Sequence, residues 1–178
     1  MRLRELIMTK KFAVLTLIAI FLLGFPPQPV SAGQKKDMGG WEKGSEYNKH
    51  YNSSEYESFK GWIKIIKTVT PMPGMSPAVA IEVCEDKKLK SEPILVHLSP
   101  AWFADPGTIG LKIGDRVKVN GVWAEIDDKD VFIAAKVKRG AFFEFKARLS
   151  GDGTPLWTLS PEELAKERSA SQESLEKK

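Results

Sequence analysis

Residues 110–140 read GLKIGDRVKVNGVWAEIDDKDVFIAAKVKRG, and this stretch decides the fold class. Val117 and Val119 alternate with charged or polar neighbours, the pattern of a strand with one buried face. Gly121 interrupts the run, which predicts a bulge or sharp bend of the kind a barrel needs at its corners. The strand resumes at Val122–Ile126, Asp127-Asp128-Lys129-Asp130 is a polar turn, and Gly140 ends the strand that follows. On that last strand Val131, Ile133, Ala135 and Val137 fall in one phase and are expected to face inward. The arrangement specifies a small β-barrel filled by Val117, Val119, Ile133 and Val137.

The flanks extend the pattern. Lys60–Val69 is the first expected strand, and the proline-rich TPMPGMSP after it is a loop. In the second, Ala78–Cys84, the side chains of Val79, Ile81 and Val83 point inward and those of Ala80, Glu82 and Cys84 outward. Ile94–Leu98 is the third. Ser99 can then cap a short helix with Pro100 in its first turn, and Asp105-Pro106-Gly107 ends it. A sixth run covers Phe142–Leu149. The expected fold is all-β: an OB-like barrel of five to six strands over residues 60–158, with one short helix between strands three and four plugging an end. Ser160-Pro161-Glu162-Glu163 is a capping box that opens a polar, solvated helical tail over 159–178. Residues 33–59 are a polar lead-in carrying Trp41, Tyr47, Tyr51, Tyr56 and Phe59. Disordered linkers hold fewer aromatics, so part of the lead-in is expected to pack on the barrel, with a helical turn near 54–59.

The chain opens on a basic segment with Arg2, Arg4, Lys10 and Lys11, then the apolar run Phe12–Phe25, then Val30-Ser31-Ala32. That is the three-part pattern of a secretory signal peptide over 1–32, cleaved near Ala32. It predicts a periplasmic or secreted protein with no stable membrane anchor after cleavage. An uncleaved anchor is the alternative, against which stands a run shorter than the roughly 20 residues a spanning helix needs. Cys84 is the only cysteine, so no internal disulfide is expected. The whole chain has net charge +4; the leader's four basic residues against Glu5 account for +3, which leaves +1. A nucleic-acid-binding domain carries a clear basic excess, which counts against nucleic acid as a partner.

No catalytic constellation is legible, and neither an enzyme nor a cofactor is expected. Trp102 and Phe103 are either an aromatic platform at the barrel mouth or the residues that plug it, and so short a helix must bury something. With Arg148 and Trp157 they form the candidate ligand-binding surface. Lys136, Lys138 and Lys146, with aromatics between them, are the candidate basic face, either a single-strand-binding surface or a solubilising one. His97 and Cys84 fall on outward phases of neighbouring strands and are the weak candidates for a haem or metal site, which lacks its remaining ligands. The acidic cluster Asp127, Asp128 and Asp130 lacks the glycine and distal glutamate of a calcium loop.

The segments SEYNKHY (45–51), FKGWI (59–63), VTPMPGMS (69–76), VHLSPAWF (96–103), IGDRVKVNG (113–121), IAAKVKRG (133–140) and GTPLW (153–157) resemble a group of small exported bacterial proteins built on one OB-like domain. The resemblance spans nearly the whole chain after the leader except the tail. It implies fold and compartment, with an unknown exported protein or a small ligand as partner, and no chemistry. Two positions depart from the pattern: Ser99 stands where a glycine is expected, and Arg148-Leu149 where an Arg-Asp pair is expected.

Overall fold

The computed structural model describes residues 37–177. The expected leader lies outside the described residues. Six strands form where the sequence alternates: β1 (Glu57–Val69), β2 (Ala78–Cys84), β3 (Ile94–Pro100), β4 (Arg116–Ile126), β5 (Lys129–Arg139) and β6 (Phe143–Lys146). They make one sheet in the order β3-β2-β1-β4-β5-β6. A parallel pairing of β3 with β5, Val96 to Phe132 and His97 to Ile133, closes it into a ring. Every other pairing is antiparallel. The edge of β5 that takes β3 at residues 132–133 takes β6 further along, at 136–139. The protein is thus a mostly β, closed barrel, as the 110–140 stretch predicts.

Two glycines let the ring close. β1 pairs with β4 through Glu57–Trp62 and with β2 from Trp62 onward. At this hand-over a side chain on Gly61 would collide with the carbonyl oxygen of Cys84. Between Asn120 and Gly121 the register of β4 against β5 slips, with Ala135 of β5 the extra residue, and a side chain on Gly121 would collide with the carbonyl oxygen of Ile133. The bulge expected at Gly121 is thus carried by the facing strand, β5. A bulge inserts one residue and exchanges the faces beyond it. Phe132, Ala134 and Val137 therefore join Ile63, Val79, Ile81, Val96, Val117 and Val119 in a core drawn from all five ring strands. Val131 and Ile133, expected inside, lie in a second core with Val122, Ala124, Ile126, Trp41, Tyr47 and Trp157. Ala80 and Cys84, expected outward, are also buried.

The lead-in supplies much of that second core. Its helix is α1 (Glu46–Lys49), capped by Ser45, and a 3-10 turn follows at Ser53–Glu55. The helical turn thus sits earlier than expected, and residues 57–59 belong to β1. Between β3 and β4 the expected helix is cut to single turns. Ala104 N–H donates to Pro100 O at 3.2 Å, and Ile109 N–H to Asp105 O at 3.1 Å. Pro106 biases Asp105 away from helical backbone, so the first turn does not propagate. After β6 a 3-10 turn at Leu156–Thr158 leads to α2 (Pro161–Glu176). Ser160 and Glu163 cap α2 reciprocally, as the capping box predicts. Among the described residues no helix is long and apolar enough to cross a membrane.

Candidate functional site

The structure joins the four candidate ligand-binding residues into one chain of aromatic contacts, but it buries two of them. Trp102 and Phe103 meet edge-on at 6.5 Å, Phe103 meets Trp157 at 5.8 Å, and Trp157 meets Trp41 at 5.4 Å. Trp102 is 43% exposed, whereas Trp157 and Arg148 are buried. Trp157 Nε1–H donates to Trp41 O at 2.8 Å, and Trp41 Nε1–H to Ser76 O at 3.0 Å. Asn48 Nδ2 donates to the carbonyls of Trp41 and Glu42. These bonds dock the lead-in onto the barrel, so Arg148 and Trp157 belong to a clamp rather than to an open mouth.

Arg148 is the centre of that clamp. It is 1% exposed. Its Nη2 donates to Asn48 Oδ1 at 2.7 Å and its Nη1 to Gly153 O at 3.2 Å. The guanidinium lies over the rings of Tyr51 at 4.7 Å and Trp157 at 5.1 Å. A desolvated cation–π contact is worth about 2 kcal/mol, which offsets part of the cost of burying the charge. Burial pushes the Tyr47 phenol well above its usual range and the Tyr51 phenol up to about 12, so both stay neutral.

His97 and Cys84 do not converge. His97 pairs with Ala80, four residues from Cys84 on β2, or about 13 Å along a strand. The Cys84 thiol points to Ser91 O at 3.5 Å, and His97 Nδ1 shares a hydrogen bond with the Tyr47 hydroxyl at 3.3 Å. Burial first, and the Lys67 charge second, lower the His97 pKa to about 4. Among the described residues no three His, Cys, Asp or Glu side chains stand together as metal ligands would.

The basic face is more ordered than its sequence suggests. Lys60 pairs with Lys118, and Lys118 with Lys138, so three lysines lie directly opposite one another across β1, β4 and β5. Arg116 follows on β4, its guanidinium over the Trp62 ring at 5.2 Å. Lys60, Arg116, Lys118, Lys138 and Gly140 line a groove of about 440 Å³ with no acidic side chain in its wall. Phe142, just beyond Gly140, is 77% exposed. Of the three expected basic residues, Lys138 pairs with Glu144 at 2.9 Å, Lys146 with Glu167 of α2 at 2.8 Å, and Lys136 reaches Ser150 Oγ at 3.4 Å. Residues of α2 line a common cleft with Lys136, Lys138 and Lys146, so α2 borders that side. The open part of the row is Lys60 and Lys118 with Arg116, and Lys138, held to Glu144, closes it. Lys60, Arg116 and Lys118 are additions to the sequence-based set. Their outward phase is legible, but the register that aligns them across β1 and β4 is not.

Charge elsewhere balances this groove. Of the chain's 27 Lys and Arg and 23 Asp and Glu, residues 1–36 hold six and one, which leaves 21 against 22 in residues 37–178, a net charge of −1.

A search of curated proteins and a search of solved structures each found no match. A model of the MamS/MamX magnetosome protein family matches residues 55–143, half of the chain. The matched segment contains the ring strands and the basic row, and it stops short of Trp41, Arg148 and Trp157.

Proposed function

The chain belongs to the MamS/MamX magnetosome protein family, and from that premise we propose that it is a non-enzymatic accessory protein, exported, whose OB-like barrel holds an acidic segment of a partner protein in the basic groove. The strand ring β1-β2-β3-β5-β4 with its parallel closure supports the OB-like reading. The leader pattern in residues 1–32 supports export.

The observation that carries the proposal is the lysine row. Like charges directly opposite each other on neighbouring strands are destabilising. Lys60, Lys118 and Lys138 do this twice over, beside Arg116, in residues 37–178 of net charge −1, with Lys138 also held to Glu144 on its other side. A solubilising surface intersperses its charges; this one gathers cations along one groove. An anionic partner relieves the repulsion on binding. An acidic protein segment fits better than a nucleic acid, because a domain with no basic excess repels a long polyanion beyond the groove.

Titration of the purified protein with a labelled oligo-glutamate peptide, and with an oligo-dT of equal charge, tests the reading. Binding of the peptide should weaken steeply with salt and be lost in a Lys60→Glu/Lys118→Glu variant. Absence of peptide binding at low salt, or binding unchanged in that variant, sinks it. Binding of the oligonucleotide alone selects the single-strand reading instead.

A further inference from the structure

Phe142 and Ile113 are the two most exposed large apolar side chains among the described residues, at 77% and 66%. Single apolar side chains scattered over a surface are ordinary. These two stand on segments that are tied together. Phe142 ends the turn at 140–142 between β5 and β6, and Ile113 lies in the loop that leads into β4. Arg139 joins the two. Its Nη1 donates to Gly110 O at 2.9 Å and to Asp115 Oδ2 at 2.7 Å, while its guanidinium lies over the Phe143 ring at 4.7 Å. Asp115 Oδ2 also accepts from Lys112 N–H at 2.8 Å, which closes the loop around Ile113. Gly114 N–H donates to Ile63 O at 2.8 Å and Ile63 N–H to Asp115 O at 3.0 Å, which pins that loop to β1.

Both segments run into the basic groove. Gly140, the first residue of the turn, lines it, and so does Arg116, three residues after Ile113. Gly140 has a φ of 62°, the left-handed conformation that suits glycine, and Phe142 follows it out of the sheet into solvent. The acids at this end of the groove are already paired, Asp115 with Arg139 and Glu144 with Lys138. One continuous surface thus carries cations in a groove and two apolar side chains at its end. Charge complementarity steers a partner in, whereas apolar anchors buried on binding supply much of the affinity.

Resting on the acidic-segment reading above, we propose that the groove selects acidic segments with an aromatic or large aliphatic residue at one end. That residue packs on Phe142 and Ile113 while the carboxylates lie along Arg116, Lys118 and Lys60. The positive charge of the groove fixes the acidic part of the partner, and the exposed pair fixes its apolar end. A groove of about 440 Å³ has room for a few residues of one extended chain, and a flat bilayer has no matching shape.

The test titrates the purified protein at low salt with labelled oligo-glutamate, and with the same peptide carrying one added Phe or one added Ser at either end. At one of the two ends the Phe peptide should bind about tenfold more tightly than its Ser counterpart. Phe142→Ser, a change at an exposed side chain, should abolish that gain and leave binding of plain oligo-glutamate within about twofold. Ile113→Ser should reduce the gain about threefold. Equal affinity for the Phe and Ser peptides at both ends overturns this inference and leaves the acidic-segment reading standing; no binding of any peptide overturns both. A Phe gain that survives Phe142→Ser also overturns it, because the anchor then packs elsewhere. Sedimentation with phosphatidylglycerol vesicles is the second arm. Vesicle binding that is lost in Phe142→Ser, without any preference among the peptides, assigns the apolar pair to a lipid surface instead.

Discussion

His97 shows how a residue of unremarkable sequence acquires a consequence from its surroundings. Burial and the Lys67 charge hold its pKa near 4, against 6.5 for an ordinary histidine. Between those values the unfolded chain takes a proton that the folded one refuses. Stability is therefore fully present above about pH 6.5 and falls as the pH drops towards 4, by about 3 kcal/mol in all. Urea unfolding between pH 7.5 and 4 should show this slope, and His97→Gln should flatten it. Gly121 is the second residue whose role is local. Gly121→Ala drives a methyl group into the Ile133 carbonyl and should cost at least about 3 kcal/mol in equilibrium unfolding, or prevent folding. Gly121 is legible in the sequence because a glycine inside an alternating strand marks a bulge or a close backbone approach. Arg148 is a candidate on sequence grounds, but its burial is not legible there. Charged residues default to the surface, and Asn48, the acceptor that holds it, lies 100 residues away.

At the scale of the elements, the lysine row separates stability from binding. Lys118 sits between Lys60 and Lys138, so Lys118→Glu replaces two repulsive cross-strand pairs with two attractive ones. The variant should be more stable by about 0.5–1 kcal/mol and bind oligo-glutamate at least tenfold more weakly. A thermal melt and a peptide titration on one preparation read both effects; a loss of stability would show that the row is not strained. α2 behaves differently. It is polar, and the stripe Leu164, Glu167, Ser171 and Leu175 is its only partly covered face. Ser160→Ala should destabilise the helix by about 1 kcal/mol and speed amide exchange within it, without moving the barrel's melting temperature. Strand positions are legible from alternation alone. The face exchange on β5 is not, because Val131, Phe132, Ile133, Ala134 and Ala135 are all apolar and offer no phase to read.

On the scale of the whole molecule, the net charge of −1 over residues 37–178 conceals a groove of one sign, so composition argues against polyanions while topology creates a place for an acidic segment. The five lead-in aromatics signal that part of the lead-in packs, though where it packs depends on the ring it lies against. The bond from Trp157 Nε1 to Trp41 O spans 116 residues. A chain synthesised from its N-terminus thus exposes Trp41 and Tyr47 long before their partners exist. Closing so large a loop is slow compared with local structure formation. The second core therefore cannot be completed until Arg148 and Trp157 have emerged, and until then Trp41 and Tyr47 lack the partners that bury them. A chain ending at Gly140 should show no cooperative unfolding transition, whereas one ending at Ser160 should melt as a single unit.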